Sequence, residues 1–368
     1  MYQFNNEQRR CFGLDQVEPH WKFIQLKTSH YDHHDAYAYV DGCVIKKCIF
    51  VSESQYYEYD YDDLLSDDLV YLLPKTNRGK PVKLSSATMM KRSNRGMAFA
   101  YYNHNCDAYI DIYCADNRLG YYNSKFERLR FETFDEFVAW VEQWCAETTE
   151  EDIVEIEEIK NRPRVHIKFR EGDVFRFRLT RRLYGYGRII RDYQRLEKEK
   201  IPYYRDFLGT AVLCSVFLVA TEDRCVSVDQ LKGLKSLPSM RLNESLIYYG
   251  EYEIIGNIPI TDHEDYPYAY SRSLSFPDCH LKKILFQNGK DLLTIEGAEL
   301  LPLSKDMFLY HGSGEVFKWL KLEVLLECIE KDSVVPYWDT PSVSVQEDLR
   351  NPKNADKLKA IREQFGLE

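Results

Sequence analysis

The chain has 368 residues, 44% of them hydrophobic, and a formal net charge of −10, so it exceeds the usual size of one core and has enough apolar surface to fold without staples. It opens without a basic-then-apolar leader, and its longest apolar run, Ala211 to Ala220, is about half of the roughly 20 residues that a membrane helix requires; the expectation is a cytoplasmic protein of two domains. The ten cysteines contain no Cys-x-x-Cys pair, which is the pattern of reduced core thiols rather than of a disulfide framework or a zinc site.

In chain order, short alternating or aromatic-rich segments predict strands at Trp21–Leu26, Tyr37–Val51, Tyr56–Tyr61, Leu69–Leu73, Met97–Tyr102, Tyr109–Cys114 and Tyr121–Phe126. Asp41-Gly42 and the Asp116–Gly120 segment are hairpin turns by composition. Thr133 with Glu136 forms a capping box ahead of Phe137, Val138, Val141, Trp144 and Cys145, which share one helix face. Glu147 to Asn161 is strongly acidic, and Pro163 ends it. A boundary is expected there.

The second half opens with strands expected at Val165–Arg170, Val174–Leu179 and Tyr184–Tyr193, the first two joined by the turn Glu171-Gly172-Asp173. The buried run 211–220 follows, then a short helix around Ser227–Leu234 and strands at Glu251–Ile255 and Lys283–Phe286. Helical spacing marks Val316–Ile329, prolines at 336, 341 and 352 break the tail into loops, and a last helix covers Asn354–Phe365. The fold class is therefore α+β: an acidic β-rich module over 1–160 closed by a helix, an α+β module over 161–335, and a tail over 336–368, each module a mainly antiparallel sheet with a few packed helices.

Charge divides the same way. Residues 1–160 hold 18 Lys+Arg against 28 Asp+Glu, whereas 161–205 hold 14 against 5. Such fields bear on partners and association rates rather than on fold. In the acidic module, the segment 55–63 brings Tyr57, Tyr59, Asp60, Asp62 and Asp63 together. Its alternation fits an edge strand with a wet acidic face, and that same face is a candidate contact for a basic partner. In the basic stretch, Arg178, Arg188 and Arg191 alternate with Tyr184 and Tyr186, in a series that also holds Arg176, Arg181, Arg182 and Arg195. The mixture suits nucleic acid, or a strand exterior in which arginines point outward and aromatic residues face the core.

His30, Asp32, His33, His34 and Asp35 are residue types that ligate metals, but they match no ligand spacing. A solvated loop is the better reading, and no metal site is assigned. No nucleophile elbow, phosphate loop or dinucleotide fingerprint is present, so no catalytic residues are named.

The series Glu171-Gly172-Asp173-Val174-Phe175, Tyr184-Gly185-Tyr186-Gly187-Arg188-Ile189-Ile190 and Ile255-Gly256-Asn257-Ile258-Pro259 resembles the immunity-protein-twenty-six family of bacterial polymorphic toxin systems, over about 165–300. The resemblance implies a non-enzymatic α+β binding protein of the bacterial cytosol, without cofactor, whose partner is a toxin domain neutralised by occlusion. The alternatives are a nucleic-acid-binding protein using 161–205 and, third, a metal-dependent hydrolase using the histidine-rich loop.

Overall fold

The computed structural model describes residues 2–28, 33–193, 211–271, 283–303, 310–312 and 320–367. The chain divides into two units, Met1–Val165 and His166–Glu368, and each unit has its own sheets. The class is α+β.

In the first unit, β1 (Lys22–Gln25), β2 (Asp35–Asp41), β3 (Val44–Ser52), β4 (Gln55–Leu64), β7 (Arg95–His104), β8 (Asp107–Cys114) and β9 (Leu119–Asn123) form one antiparallel sheet in the order β1-β2-β3-β4-β7-β8-β9. The β2–β3 turn contains Gly42 and directly follows Asp41, and the β8–β9 turn lies within 115–118. Strand period is plain in β8, where Ala108, Ile110, Ile112 and Cys114 are buried and the residues between them are not. Two layers cover the sheet. On one face α1 (Asn6–Cys11), α3 (Phe134–Ala146) and α4 (Glu150–Asn161) pack on an aromatic core that includes Phe4, Phe12, Tyr56, Phe99, Tyr101, Phe137 and Trp144. On the other, the β2–β4 end meets Leu65, Leu72 and Met89 from the segment that carries the two-stranded β5 (Tyr71–Leu72) and β6 (Val82–Lys83) and the short α2 (Ser86–Met89).

Two local expectations need correction here, and one segment gains a helix. Strand β4 is the central strand of seven, not an edge. The acidic stretch 147–161 is mostly the helix α4, opened by a capping box between Thr149 and Asp152. At α3, Thr133 caps through the Glu136 backbone N–H, but the Glu136 carboxylate accepts from the Glu132 N–H at 2.6 Å and so closes the box one residue early.

In the second unit, β10 (Asp173–Arg178), β11 (Tyr184–Asp192), β12 (Ala211–Thr221), β13 (Met240–Asn243) and β14 (Glu253–Asn257) form an antiparallel sheet in the order β13-β12-β11-β10-β14. The short α5 (Val228–Leu231) contributes Leu231 to the core over Val174, Tyr184, Tyr186 and Phe217; α6 (Ser245–Tyr248) precedes β14. A second sheet runs β17-β16-β15-β18, from β15 (Tyr268–Ser271), β16 (Lys283–Asn288), β17 (Asp291–Glu296) and β18 (Tyr310–Gly312). Helices α7 (Leu322–Glu330), α8 (Val335–Trp338), α9 (Val343–Gln346) and α10 (Ala355–Gln364) follow, and Ile361 packs with Tyr270, Ile284, Phe286 and Leu349.

The strand expected at Val165–Arg170 is irregular chain. Pro336 sits in the first turn of α8, where its missing N–H costs nothing, and Pro352 opens a 3₁₀ turn; neither leaves only loop behind it. Of the helix expected at Val316–Ile329, residues 316–319 lie outside the described residues.

Candidate partner-binding surfaces

Strand β4 sends alternate side chains to opposite faces, and the split decides which of its candidates a partner can reach. Glu58 and Asp60 point with Tyr56 toward the helix-covered side, and neither is exposed. Lys47 of β3 meets both: its ammonium donates to Asp60 Oδ1 and lies 3.1 Å from Glu58 Oε1. Arg9 of α1 adds a 2.6 Å bond from Nε to Glu58 Oε1, and the Tyr56 hydroxyl donates to Glu58 Oε2 at 2.5 Å. Burial would raise the Glu58 carboxyl, but Lys47 and Arg9 hold it below its ordinary value. Asp60 has Lys47 and not Arg9, so burial prevails and pushes it up to about 6. Asp60 is thus a buried charge partner, and a contact surface built on it is corrected by its burial.

Asp62 and Asp63 do reach the surface. Lys46 and Arg95 bond Asp62, each at 2.8 Å, and Arg92 engages Asp63 with two guanidinium nitrogens. Their charge is largely compensated within the unit. Tyr57 and Tyr59 lie on the opposite face, half-buried, with ring centroids 5.9 Å apart.

In the second unit, register pairs Arg176 with Tyr186 and Arg178 with Tyr184, so these arginines and tyrosines share one face of the sheet. Phe175 and Phe177 occupy the other, against Tyr252. The expected sorting of arginine outward and aromatic inward therefore holds for the phenylalanines and fails for the tyrosines. Tyr186 is fully buried, with its hydroxyl donating to the Asp223 carbonyl at 2.8 Å; it offers a partner no surface. Tyr184 is nearly covered, because three guanidiniums surround it: Arg178 at 5.0 Å, Arg176 at 5.4 Å and Arg224 at 5.6 Å from its ring centroid. Arg176 is anchored to Glu253 at 2.5 Å and to the Arg224 carbonyl, and Arg178 donates to the Arg181 carbonyl.

The other candidates separate from this cluster. Arg188 forms an ion pair with Glu264, and Arg191 lies 5.9 Å from the Tyr266 ring, which Lys290 also approaches at 5.2 Å. Arg195 lies outside the described residues. Arg224 was not singled out in the sequence, because it arrives from the loop after β12 and no spacing connects it with β10.

At the far end of β10 the turn Glu171-Gly172-Asp173 closes on the Ile255–Pro259 segment. Gly172 has φ +88°, and a Cβ there would lie 2.7 Å from the Ile258 carbonyl oxygen, so glycine is required by both conformation and space. Ile258 N–H donates to the Gly172 carbonyl, and the Asn257 amide donates to Asp173 Oδ1 at 2.8 Å. Beside this seam Arg170, Glu171, Asn257, Pro259 and Ile260 line an open hollow of about 370 Å³.

Among the described residues no group of three or more His, Cys, Asp or Glu is arranged to hold a metal. His30 and Asp32 lie outside the described residues; His34 is hydrogen-bonded to the Ser86 hydroxyl at 2.7 Å and packs edge-on against Phe50. The nine described cysteines form no disulfide with one another, with Cys48, Cys114, Cys214 and Cys328 buried and Cys225 exposed, so the expectation of core thiols fails at Cys225. No described helix is long and apolar enough to cross a membrane.

No curated protein and no solved structure matches the chain. The turn, the glycine-bearing strand and the Ile-Gly-Asn-Ile-Pro segment that meet in the five-stranded sheet all fall inside residues 170–280, and over that stretch the chain matches the family Immunity protein 26.

Proposed function

We propose that the chain is a bacterial immunity protein, made in the cytoplasm, that binds a cognate toxin domain and neutralises it by occlusion, without catalysis or cofactor. What supports this is the family match over 170–280 together with the arginine layer that the same stretch places over Tyr184. Arginine and tyrosine are the side chains that most often dominate protein interfaces, because each combines large contact area with directional polar groups. Three guanidiniums held on one ring are partly ordered before a partner arrives, which lowers the entropy cost of contact. The partner surface suited to Arg178 and Arg224 is acidic. The earlier expectation of steering by Asp60, Asp62 and Asp63 is weaker, since Asp60 is buried and cations pair with the other two.

The same cluster supports a second reading, a nucleic-acid surface, because guanidiniums beside an aromatic ring also fit phosphates and bases. Co-expression separates the two. A toxin domain encoded beside this gene should be silenced by the chain and purify with it, and nucleic acid should not be retained at physiological salt. Failure to protect, combined with salt-sensitive RNA or DNA retention that Arg178→Ala abolishes, favours the second reading.

A further inference from the structure

The first unit carries a box of aromatic rings around one carboxylate, on the sheet face opposite the buried ion pairs. Register defines it: Tyr57 of β4 pairs with Ala100 of β7, which pairs with Asp111 of β8, and in the next row Tyr59 pairs with Ala98, which pairs with Tyr113. Directly cross-strand residues share a face. The floor is therefore alanine, and the walls on β4 and β8 stand two strand spacings apart, roughly 10 Å. Tyr102 pairs with Tyr109 across one end, with ring centroids 5.0 Å apart. At the other end Tyr59 and Tyr113 stand on either side of Ala98.

Asp111 stands in this wall and accepts a 3.0 Å bond from the Asn123 amide, whose nitrogen also bonds the Tyr109 hydroxyl. Its charge is felt by both Tyr59 and Tyr109, whose hydroxyls burial holds above their ordinary pKa. The rings therefore stay neutral and present electron-rich faces. Tyr102 is 44% exposed, and Tyr57, Ala100, Tyr109, Asp111 and Tyr113 are half-buried, so the box opens to solvent. Lys125 stands near Tyr109.

Aromatic walls around a fixed carboxylate bind cations, since the ring faces and the carboxylate attract the same charge while the rings shed water. A gap of two strand spacings over a methyl floor accepts a planar guanidinium between rings. The surrounding unit is acidic, with 18 Lys+Arg against 28 Asp+Glu over 1–160, which favours approach of a basic segment. We propose that Tyr57, Tyr102, Tyr109 and Asp111 form a receptor for an arginine side chain of a basic protein partner. This goes beyond the toxin-binding reading and does not depend on it, because the site lies outside the family match.

The test is calorimetric titration of the full chain with a peptide of alternating arginine and glycine, beside a citrulline–glycine peptide of the same shape without charge. The arginine peptide should bind at least about tenfold more tightly than the citrulline peptide. Tyr102→Ala and Asp111→Asn should each weaken it by about tenfold or more, with unchanged melting temperature. Tyr102 is exposed enough that its removal leaves the fold intact, so a folding defect in the Asp111 variant does not decide the matter. Absence of binding, or equal binding to wild type and both variants, would overturn the receptor and leave only general attraction to an acidic chain. Self-association of the chain lost in Tyr102→Ala would overturn the separate partner, since a second copy would then fill the box.

Discussion

Lys47 and Asp60 face each other inside the seven-stranded sheet, the lysine side chain with 0% and the aspartate with 1% exposure. Such a pair contributes little net stability against an apolar substitute, but removing one member strands the other in a dry site. Lys47→Met should therefore cost about 3–5 kcal/mol, because Glu58 keeps only Arg9 and Asp60 loses its cation. The double variant with Asp60→Asn should be less destabilised than Lys47→Met alone. Urea unfolding with unchanged slope measures both, and a single-variant loss within experimental error would show that water reaches the pair.

Asp60 gives that network a pH signature. Its folded pKa, about 6, lies above the ordinary aspartate value of 3.8, so between those values the folded state holds a proton that the unfolded chain has released. Its stability contribution is full below about pH 4 and is lost as pH rises through about 6. The difference in unfolding free energy between wild type and Asp60→Asn should accordingly fall from pH 4 toward pH 7, by at most about 1.4 kcal/mol per pH unit. Glu58, held low, acts in the opposite sense at lower pH and is common to both proteins. A flat difference across that window would contradict the raised value.

Much of this architecture is legible from residues alone. Turn chemistry at Asp41-Gly42 and around Asn117 marks two hairpins, and alternation from Asp107 to Cys114 marks a strand with one buried face. The position of β4 is not legible, because its carboxylates look solvent-facing until Lys47 and Arg9 arrive from other elements. Helix α4 is signalled by Thr149 and Asp152, but its density of acids suggests a linker. The arginine layer on Tyr184 was half visible: Arg176 and Arg178 lie on β10, whereas Arg224 joins through the fold alone.

Gly187 tests the packing of the family-matching sheet. A Cβ there would lie 2.4 Å from Phe175 Cζ and 2.9 Å from the Ser215 carbonyl oxygen, and Phe175 is fixed between its strand and Tyr252. Gly187→Ala should destabilise the chain by about 1–3 kcal/mol. A thermal midpoint equal to wild type would show that Phe175 swings aside freely.

Thiol chemistry should sort the cysteines by burial. Cys225 is exposed and should react first with an aromatic disulfide reagent in native protein, while burial raises the Cys48 and Cys214 thiols and hides them. These two should react only on unfolding. Rapid native labelling of Cys214 would contradict the closed core around β12.

The proposed immunity function is tested most directly by survival of cells expressing the neighbouring toxin domain with this chain, wild type or carrying Arg178→Ala and Arg224→Ala together. The wild type should restore growth and form an isolable complex, and the paired variant, folded by circular dichroism, should lose at least about tenfold in affinity and protect poorly. No protection and no complex with the wild type would contradict toxin neutralisation. Full protection by the paired variant would instead remove the Tyr184 surface from the contact.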